Sequence, residues 1–406
     1  MTAQPSKKQR DFLDWEMGAF FHFGIRTFYE GHRDWDLQGM PLAGFNPTAL
    51  DCGQWVRTAK EAGCRYAILV CKHHDGFANW PSAYTDYSVA NTPWKGGKGD
   101  VVREFTDACR EYGLKVGLYY SPAQFGSKDM DGKAYDDYFI NQISELLTGY
   151  GKIDYLWFDG CGSEGHEYDT ARIVSAIRRM QPEILIFNMW DPDTRWIGNE
   201  AGIAPLYNPN VVKELDFSIQ TEEKDKLDET RYLPGECDFR MRRENWFYSD
   251  QDEDTVKSVE ELMAIYDYSG GRGSNFLINI GPDRRGLLPD ADAKRLLAFG
   301  EALRRRFANP IPCAVEPDGD GYRCTLEAPA LVDTAVLAEE LGGEFIEEFS
   351  VWASPFPYGA PICVYQGKTV GHKAICTFPP IWTKEIAVRT DGKAPLTAVK
   401  LYHGRD

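Results

Sequence analysis

Short apolar segments alternate with amphipathic segments over the first three quarters of the chain. Six apolar runs have the length and the aromatic or β-branched content of buried strands. They are Ala19–Phe23, Tyr66–Cys71, Lys115–Tyr120, Ile153–Phe158, Ile184–Asn188 and Asn275–Ile280. Five segments between them repeat apolar residues at helical spacing, and two of these begin at Asp and stop at Gly, as capped helices do. They are Asp51–Gly63, Asp100–Gly113, Tyr135–Gly149, Asp169–Met180 and Asp254–Tyr268. Repeated strand–helix units of this kind predict a parallel sheet.

The number of these units predicts an α/β fold of the (β/α)8 TIM-like barrel type. Six to eight units over about 300 residues suit such a barrel. The rival fold is an open doubly wound sheet, which usually carries a Gly-rich phosphate loop after its first strand. The segment FHFGIRTF at 21–28 is not such a loop. From Trp190 to Phe247 the pattern is less regular, and we predict long loops there.

The pattern changes again around Asn309–Pro312. Beyond this point short alternating runs are separated by Gly, Pro and Asp, which is typical of antiparallel β-structure. Such runs are Tyr322–Leu326, Leu331–Leu337 and Ala374–Phe378. We therefore predict a barrel domain over residues 1–308 and a small β-sandwich domain over residues 309–406.

Charge and hydropathy exclude several classes of partner. The chain carries 62 acidic and 45 basic residues, a formal charge of −17, and its longest basic run is Arg304–Arg306 on a predicted helix. This argues against nucleic acid and anionic membranes as partners. No uninterrupted apolar run approaches the length that spans a bilayer. A neutral small molecule or a sugar fits this composition, and no pattern predicts an oligomeric state.

Cysteine usage bears on the compartment. The ten cysteines are scattered and none forms a C-x-x-C pair, so we expect buried free thiols in a reducing compartment. The first sixteen residues contain no apolar segment of the kind that a secretory signal needs. We therefore expect a cytoplasmic location unless a leader has been removed. In an exported protein, Cys313, Cys324, Cys363 and Cys376 could pair.

Chemistry-bearing residues follow the predicted strands, where barrel active sites lie. In strand order they are His22; His73 and His74; Tyr119 and Tyr120; Asp159; and Asn188, followed by Trp190 and Trp196. Adjacent strand residues point to opposite faces, so only one member of each pair need enter the site. Imidazoles, aromatic rings and a carboxylate around one mouth suit a sugar, which needs stacking and directional hydrogen bonds.

Glycoside hydrolysis requires two carboxylates. We predict Asp159 as the nucleophile, because a strand end holds it rigidly and nearby imidazole or tyrosine donors would keep it ionised. The general acid must come from another loop. Candidates are Glu200 in RWIGNEAG, Glu236 in LPGECDF and, third, Glu164. Trp196 beside Glu200 could desolvate that carboxyl, as a general acid requires.

Several long motifs occur together and in one order. They are FFHFGIRTF (20–28), FNPTALDCGQWV (45–56), YAILVCKHHDGFANWPS (66–82), GLYYSP (117–122), IDYLWFDG (153–160) and GSNFLINIGPDRRGLLP (273–289). With these motifs the chain resembles the α-L-fucosidases of glycoside hydrolase family 29. The resemblance implies a (β/α)8 barrel followed by a β-sandwich, a retaining mechanism and no cofactor or metal.

The resemblance also implies roles for individual residues. Asp159 matches the nucleophile, and Tyr119 or Tyr120 matches a tyrosine near it. His22, His73 and His74 match positions that bind fucose hydroxyls. Trp35 matches a substrate-binding tryptophan, although Asp34 precedes it where the family usually has Glu. We also assign Asp34, Trp196 and Trp246 to the substrate-binding set.

Two stretches resemble the branch of the family that prefers α-1,3/1,4-linked fucose. In RWIGNEAG, the branch uses the Glu as acid/base, which favours Glu200 over Glu236. In PGECDFRMRRENWFY, the residues from Met241 to Trp246 depart from the usual continuation, so the aglycone side of the pocket differs. We therefore expect a fucosylated glycan as the substrate, with the linkage still open.

Three alternatives remain at this stage. A metal-dependent barrel hydrolase could use His22, His73 or His74, His166 and Asp159, although the chain has no H-x-H or H-E-x-x-H spacing. A related exo-glycosidase could act on another L-galacto-configured sugar. A sugar-binding protein on an inactive barrel is the third, and the presence of Asp159 with candidate glutamates argues against it.

Overall fold

The computed structural model describes residues 3–31, 39–123, 130–163, 165–215, 225–342 and 344–404. Its helices are α1 (Lys7–Trp15), α2 (Cys52–Ala62), α3 (Val101–Tyr112), α4 (Gly132–Gly149), α5 (Thr170–Met180), α6 (Val259–Tyr268) and α7 (Asp290–Arg306). Its strands in the first three quarters are β1 (Met17–Phe21), β2 (Tyr66–Lys72), β3 (Lys115–Tyr120), β4 (Tyr155–Phe158), β5 (Leu185–Phe187), β6 (Arg195–Trp196), β7 (Val211–Leu215), β8 (Asp225–Tyr232), β9 (Gly235–Arg240) and β10 (Asn275–Asn279). Those in the last quarter are β11 (Cys313–Asp318), β12 (Gly321–Glu339), β13 (Phe349–Pro355), β14 (Ile362–Gly367), β15 (Ala374–Thr390) and β16 (Leu396–Tyr402). Within these ranges, no helix is both long enough and apolar enough to cross a membrane.

Eight parallel strands form one sheet in the order β5-β4-β3-β2-β1-β10-β9-β6. A parallel bridge between Phe187 and Thr194 joins the two ends of this order, so the sheet is a nearly closed ring. The predicted TIM-like barrel is confirmed. Because all its strands run the same way, their carboxyl ends meet at one mouth.

Side chains alternate between the barrel interior and the layer beneath the helices. On β3 and β4, Tyr119 and Trp157 belong to the interior cluster. Their neighbours Tyr120 and Phe158 belong to the larger cluster that strands and helices share. Both faces of these strands are therefore buried, as the continuous apolar runs of the sequence indicate.

Helix α1 closes the amino end of the barrel. The ring of Phe12 lies 5.4 Å from that of Tyr155, and the ring of Trp15 lies 5.6 Å from that of Tyr66. Tyr66 and Tyr155 are the first residues of β2 and β4. The interior is thus filled from below, which leaves the carboxyl end as the open end.

Helix ends follow the capping signals of the sequence in two cases and depart from the prediction in a third. Asp51 caps α2, where its side chain accepts the N–H of Gln54, and Gly63 ends that helix with a φ of 109°. Asp100 caps α3 in the same way. Helix α6 begins at Val259 rather than near residue 254, because Ser258 forms a capping box with Glu261.

The prediction of long loops between residues 190 and 247 was wrong in part. This region supplies two barrel strands, β6 and β9, and the antiparallel hairpin β7–β8. Strand β6 has only two residues. Strand β9 places Glu236, Asp238 and Arg240 on alternate positions, so its pattern resembles a solvated edge although most of it is buried.

The last quarter forms an antiparallel sheet of six strands, with β11-β12-β15-β13-β14 in order and β16 on β12. Strands β12 and β15 are long, and their pairing shifts register between Thr325 and Ala330. The predicted β-sandwich after the barrel is confirmed. The division at residue 308 stays a prediction.

Candidate active site

Asp159 stands at the open end of the barrel as the first residue after β4. The hydroxyl of Tyr119 donates to its Oδ2 at 2.8 Å, and the backbone N–H of Cys161 donates to its Oδ1 at 3.0 Å. Its side chain is 30% exposed, so the carboxylate is held from one side and open to solvent on another. A nucleophile needs this combination of fixed orientation and access.

His74 supplies a positive charge to this carboxylate. Its Nε2 lies 3.5 Å from Asp159 Oδ2, and its Nδ1 lies 2.5 Å from the hydroxyl oxygen of Ser121. Burial alone would lower the pKa of His74, but the Asp159 carboxylate outweighs burial and raises it to about 10. His74 is therefore an imidazolium near neutral pH.

The same pair explains why Asp159 is ionised. Burial would raise the pKa of Asp159, yet the His74 charge and the hydrogen bonds from His74, Cys161 and Tyr119 hold it below its usual value. An opposite charge within a few ångströms favours the charged form of a carboxyl. The anion that attack requires is thus the resting form.

His22 and His73 line the mouth as neutral imidazoles. His22 Nδ1 lies 2.7 Å from Oδ1 of Asn279, and the ring of His73 stacks on Tyr119 at 5.4 Å and 7°. Desolvation lowers the pKa of His22 to about 3 and that of His73 well below its usual value. Neutral imidazoles can donate and accept, which suits hydroxyl groups.

Aromatic rings wall the mouth on the side of β1 and β10. The ring of Trp246 lies 5.0 Å from His22, and Phe247 lies 5.3 Å from His22 and 5.2 Å from His73. The carbonyl of Trp246 accepts a hydrogen bond from Asn279 at 2.7 Å, which ties this segment to the end of β10. Trp246 is the half-buried ring of the two, and such a ring beside polar groups can stack on the C–H face of a sugar.

Glu200 lies in the loop that follows β6, two strands from Asp159 around the ring. Its side chain is 48% exposed, and its Oε2 is 3.9 Å from the guanidinium of Arg240. Arg240 also lies over the ring of Trp246 at 5.4 Å. Glu200 is therefore linked through Arg240 to the aromatic wall, and solvent can reach its carboxylate.

Trp196 is held by a buried acid. Its indole N–H donates to Asp238 Oδ1 at 2.6 Å, and its ring packs against the interior aromatic cluster. Burial raises the pKa of Asp238 well above its usual value, and the negative charges of Glu200 and Glu236 add to this. Asp238 thus fixes the indole through this hydrogen bond.

Glu236 lies deep in the barrel. It is 1% exposed, and it accepts hydrogen bonds from Tyr66 at 2.6 Å, Trp157 at 2.8 Å and Tyr155 at 3.2 Å. It is the second residue of β9, whereas Asp159 follows the last residue of β4. Burial raises the pKa of Glu236 to about 7 despite its three donors. It faces the closed end rather than the mouth.

Tyr120 does not join the group at the mouth. Its hydroxyl donates to Gln142 at 2.7 Å in the layer beneath the helices, and Lys72 lies over its ring at 4.4 Å. The alternation of β3 therefore selects Tyr119 as the tyrosine beside Asp159. Asp34, Trp35 and Glu164 lie outside the described residues.

The structure brings together part of the metal set that the sequence left open. Ligand atoms of His73, His74 and Asp159 all lie within 4.8 Å of one another, a spacing that could hold a cation. His166 is not among them, and its Nε2 instead lies 2.9 Å from Oδ1 of Asp136 on α4. His74 already directs Nδ1 to Ser121, which leaves Nε2 as the only nitrogen it can offer.

Sequence reasoning assigned no role to two residues that position others. Asn279 holds His22, and Ser121 holds His74. Asn279 is the last residue of β10, so applying the strand-end rule to that strand would have found it. Ser121 follows Tyr120 in the GLYYSP motif, but no feature of the sequence shows that its hydroxyl contacts the imidazole of His74, which follows the neighbouring strand β2.

Comparisons with known proteins show which proteins the chain is similar to. The α-L-fucosidase family model matches residues 40–306. The chain is 38% identical over 322 residues to α-L-fucosidase 1 of Arabidopsis thaliana, covering 76% of this chain and 62% of that protein. It is 26% identical over 276 residues to the tissue α-L-fucosidase of Mus musculus, covering 62% of this chain and 54% of that protein. The chain thus spans less than two thirds of these two relatives.

A solved structure extends the likeness to the whole chain. A glycoside hydrolase 29 family member from an unknown rumen bacterium superposes with a TM-score of 0.91 at 31% identity. The match covers 100% of this chain and 78% of the bacterial one. The likeness therefore includes both the barrel and the β-sandwich.

Proposed function

The chain belongs to the α-L-fucosidase family of glycoside hydrolases, and we propose from that premise that it is a retaining exo-α-L-fucosidase. The observation that carries the proposal is the ionised Asp159, which Tyr119 and His74 hold at the open end of the barrel. Neutral imidazoles and aromatic rings surround it, as recognition of a small sugar requires. The substrate is a glycan with a terminal α-linked L-fucose.

In the first step Asp159 attacks the anomeric carbon of the fucosyl residue. Glu200 gives its proton to the glycosidic oxygen as that bond breaks, and a covalent fucosyl-enzyme results. His74 keeps Asp159 ionised before attack, and the Tyr119 hydroxyl orients the attacking carboxylate. His22 and His73 bind sugar hydroxyls with their neutral rings.

In the second step water replaces the enzyme at the same carbon. Glu200, now a carboxylate, takes a proton from this water as it attacks the anomeric carbon, and Asp159 leaves as the carboxylate. Two inversions at one carbon retain the α configuration. No cofactor is required for either step.

Accessibility supports Glu200 rather than Glu236 as the acid/base. Glu200 is 48% exposed at the rim, whereas Glu236 is 1% exposed and is engaged by three donors. The test is Glu200→Ala against Glu236→Ala on aryl α-L-fucosides. Glu200→Ala should keep most of its activity on the substrate with a good leaving group. Its activity on the substrate with a poor leaving group should fall by about 10²-fold or more, and azide should restore activity. If Glu236→Ala behaves in this way instead, the assignment is reversed.

We propose α-1,3/1,4-linked fucose as the preferred substrate. The RWIGNEAG stretch, with Glu200, is the feature that supports it, while residues 241–246 depart from that branch. The test is a panel of oligosaccharides with α-1,2-, α-1,3/1,4- and α-1,6-linked fucose, with products separated by chromatography. Activity on another L-galacto-configured sugar with none on this panel would change the substrate and keep the mechanism.

A metal-dependent hydrolase is the second candidate, because ligand atoms of His73, His74 and Asp159 lie within 4.8 Å of one another. In such an enzyme these side chains would bind a cation that activates water. Dialysis against EDTA separates the two candidates. Full activity after chelation, with no metal by elemental analysis, supports the fucosidase; loss of activity that Zn²⁺ restores supports the metal enzyme.

We propose a reducing compartment for the protein. All ten cysteines are free, and seven of them are buried. Their use as small buried apolar residues, rather than as exposed disulfide partners, supports the proposal. Thiol titration under denaturing conditions, without reductant, should give ten reactive thiols.

A further inference from the structure

Asn188 has an unusual conformation at the carboxyl end of the barrel. It is the first residue after β5, it is 3% exposed, and its φ is 49°, in the left-handed region. Its backbone N–H donates to the carbonyl of Thr194 at 3.0 Å, and its side-chain Oδ1 accepts the N–H of Trp196 at 3.0 Å. The residue therefore closes the gap between β5 and β6.

These contacts fix the orientation of the amide. A backbone N–H can only donate, so the atom facing Trp196 must be the oxygen, and the other atom must be Nδ2. That Nδ2 is buried and has no hydrogen-bond acceptor anywhere in the described parts of the chain. Buried polar groups nearly always find a partner, so a donor left in this state requires an explanation.

The position of Asn188 suggests an explanation for this unpartnered donor. Strand β5 pairs with β4, which leads to Asp159, and Asn188 contacts Trp196, four residues before Glu200. Asn188 thus lies in the wall between the proposed nucleophile and the proposed acid/base. In a retaining glycosidase the sugar must lie between these two carboxyl groups.

The alternation of side chains between the two faces of the sheet is interrupted at Asn188. Phe187 belongs to the interior cluster, whereas Met189, two residues later, belongs to the outer cluster. Residues two apart in a regular strand share one face, so the left-handed Asn188 breaks the alternation. Asn tolerates this conformation better than most residues, which allows a polar side chain at the edge of the mouth.

We propose that Asn188 is a substrate-contacting residue whose Nδ2 donates a hydrogen bond to a ring hydroxyl of the bound fucosyl residue. The inference rests on the proposed function, since it requires a sugar between Asp159 and Glu200. The unpartnered amide is then a donor kept ready for the ligand. Its contact helps to hold the anomeric carbon in line with Asp159.

Trp190 provides a matched control. It also has a positive φ, of 57°, and a buried indole N–H without an acceptor in the described residues. However, its ring packs 5.4 Å from Phe158 and 5.8 Å from Phe139, in the layer beneath the helices. Trp190 therefore shares the unpartnered donor and the backbone conformation but lies away from the mouth.

The test measures binding of L-fucose by calorimetry to the full chain and to three variants. Asn188→Gly removes the donor and fits the positive φ, and Asn188→Asp keeps the acceptor for Trp196 while replacing the donor. Both should weaken fucose binding by about tenfold or more, the usual size of one lost ligand hydrogen bond. Trp190→Phe should bind fucose within about twofold of the unaltered chain, and near-UV circular dichroism checks that all variants are folded.

Deoxy analogues identify the contact. Fucose analogues that lack the hydroxyl at carbon 2, 3 or 4 are bound to the unaltered chain and to Asn188→Gly. For one analogue the two proteins should bind alike, because the partner of Nδ2 is absent from both. If Asn188→Gly weakens the binding of all three analogues equally, or if it binds fucose as tightly as the unaltered chain, the inference is overturned and the proposed function stands. No binding of fucose by the unaltered chain overturns both.

Discussion

His74 Nε2 lies 3.5 Å from Oδ2 of Asp159, and the two side chains come from the ends of β2 and β4. Between those strands lies β3, whose Tyr119 donates to the same oxygen at 2.8 Å. Three neighbouring strands therefore converge on one carboxylate. His74 contributes a positive charge and Tyr119 contributes an oriented hydrogen bond. Substitutions at the two positions can distinguish these contributions.

Removal of the His74 charge should change the pH dependence of activity. The imidazolium holds the pKa of Asp159 below its usual value against the effect of burial. In His74→Gln the pKa of Asp159 should rise, so the acidic limb of kcat/KM should move to higher pH by about one unit or more. A pH profile on an aryl α-L-fucoside measures this. An acidic limb at its original pH would show that His74 does not control the ionisation of Asp159.

The two adjacent tyrosines of β3 should differ in their effects. Tyr119→Phe removes the hydrogen bond to Asp159 and keeps the ring that stacks on His73, so kcat should fall by about tenfold or more with little change in melting temperature. Tyr120→Phe removes a hydrogen bond to Gln142 in the outer layer and should leave kcat/KM unchanged while costing about 1 kcal/mol of stability. Comparable losses of activity in both variants would contradict this assignment.

Glu236 should make stability fall as pH rises toward neutrality. Burial raises the pKa of Glu236 to about 7, above the ordinary 4.5 of a glutamate carboxyl. Below pH 4.5 both states of the protein are protonated at this group. Between there and pH 7 the folded state retains the proton while the unfolded state loses it, so this group's contribution decreases by up to about 3 kcal/mol and levels off above pH 7.

Denaturant unfolding of Glu236→Gln isolates this contribution. The variant carries no titrating group at position 236, so its midpoint should change less between pH 5 and pH 8 than that of the unaltered chain. Its kcat should stay close to that of the unaltered chain, because Glu236 faces the closed end of the barrel. Identical pH dependence of the two midpoints would show that Glu236 is ionised in the folded protein.

Cys161 should be the cysteine through which thiol reagents inactivate the protein. It is exposed, its backbone N–H donates to Asp159, and its side chain helps to raise the pKa of His74. Iodoacetamide should therefore add bulk beside the nucleophile and abolish activity, and L-fucose should slow the reaction. Cys161→Ser should resist inactivation. Cys363 is equally exposed on β14 of the β-sandwich, and alkylation there should have no effect.

Much of the fold could be predicted because its signals are local. The strand Lys115–Tyr120 matches the structure residue for residue, and Asp51 and Gly63 bound helix α2 as their types indicate. The placement of Asp159 at the mouth follows from the same reasoning, since a carboxylate after a parallel strand of a barrel must lie there. Local pattern and global fold agree in these segments.

The rest depends on burial and register, which a sequence does not display. Strand β9 was missed because Glu236, Asp238 and Arg240 alternate along it, and their partners Tyr66, Trp196 and Glu200 are far from them in the sequence. The sequence favoured Glu200 over Glu236 through the RWIGNEAG stretch, but it could not show that Glu236 is buried and Glu200 exposed. The choice between Tyr119 and Tyr120 required knowing which residues of β3 point into the barrel. Membership of Tyr119 in the interior cluster shows this.

The central claim is that Asp159 forms a covalent bond to fucose. A 2-fluorinated α-L-fucosyl fluoride slows the second step more than the first, so the fucosyl-enzyme should accumulate. Peptide mass spectrometry after inactivation should find one 2-fluorofucosyl group, on Asp159, and Asp159→Asn should remain unlabelled. A label on another carboxylate, or turnover of the fucoside by Asp159→Asn at the unaltered rate, would contradict the claim.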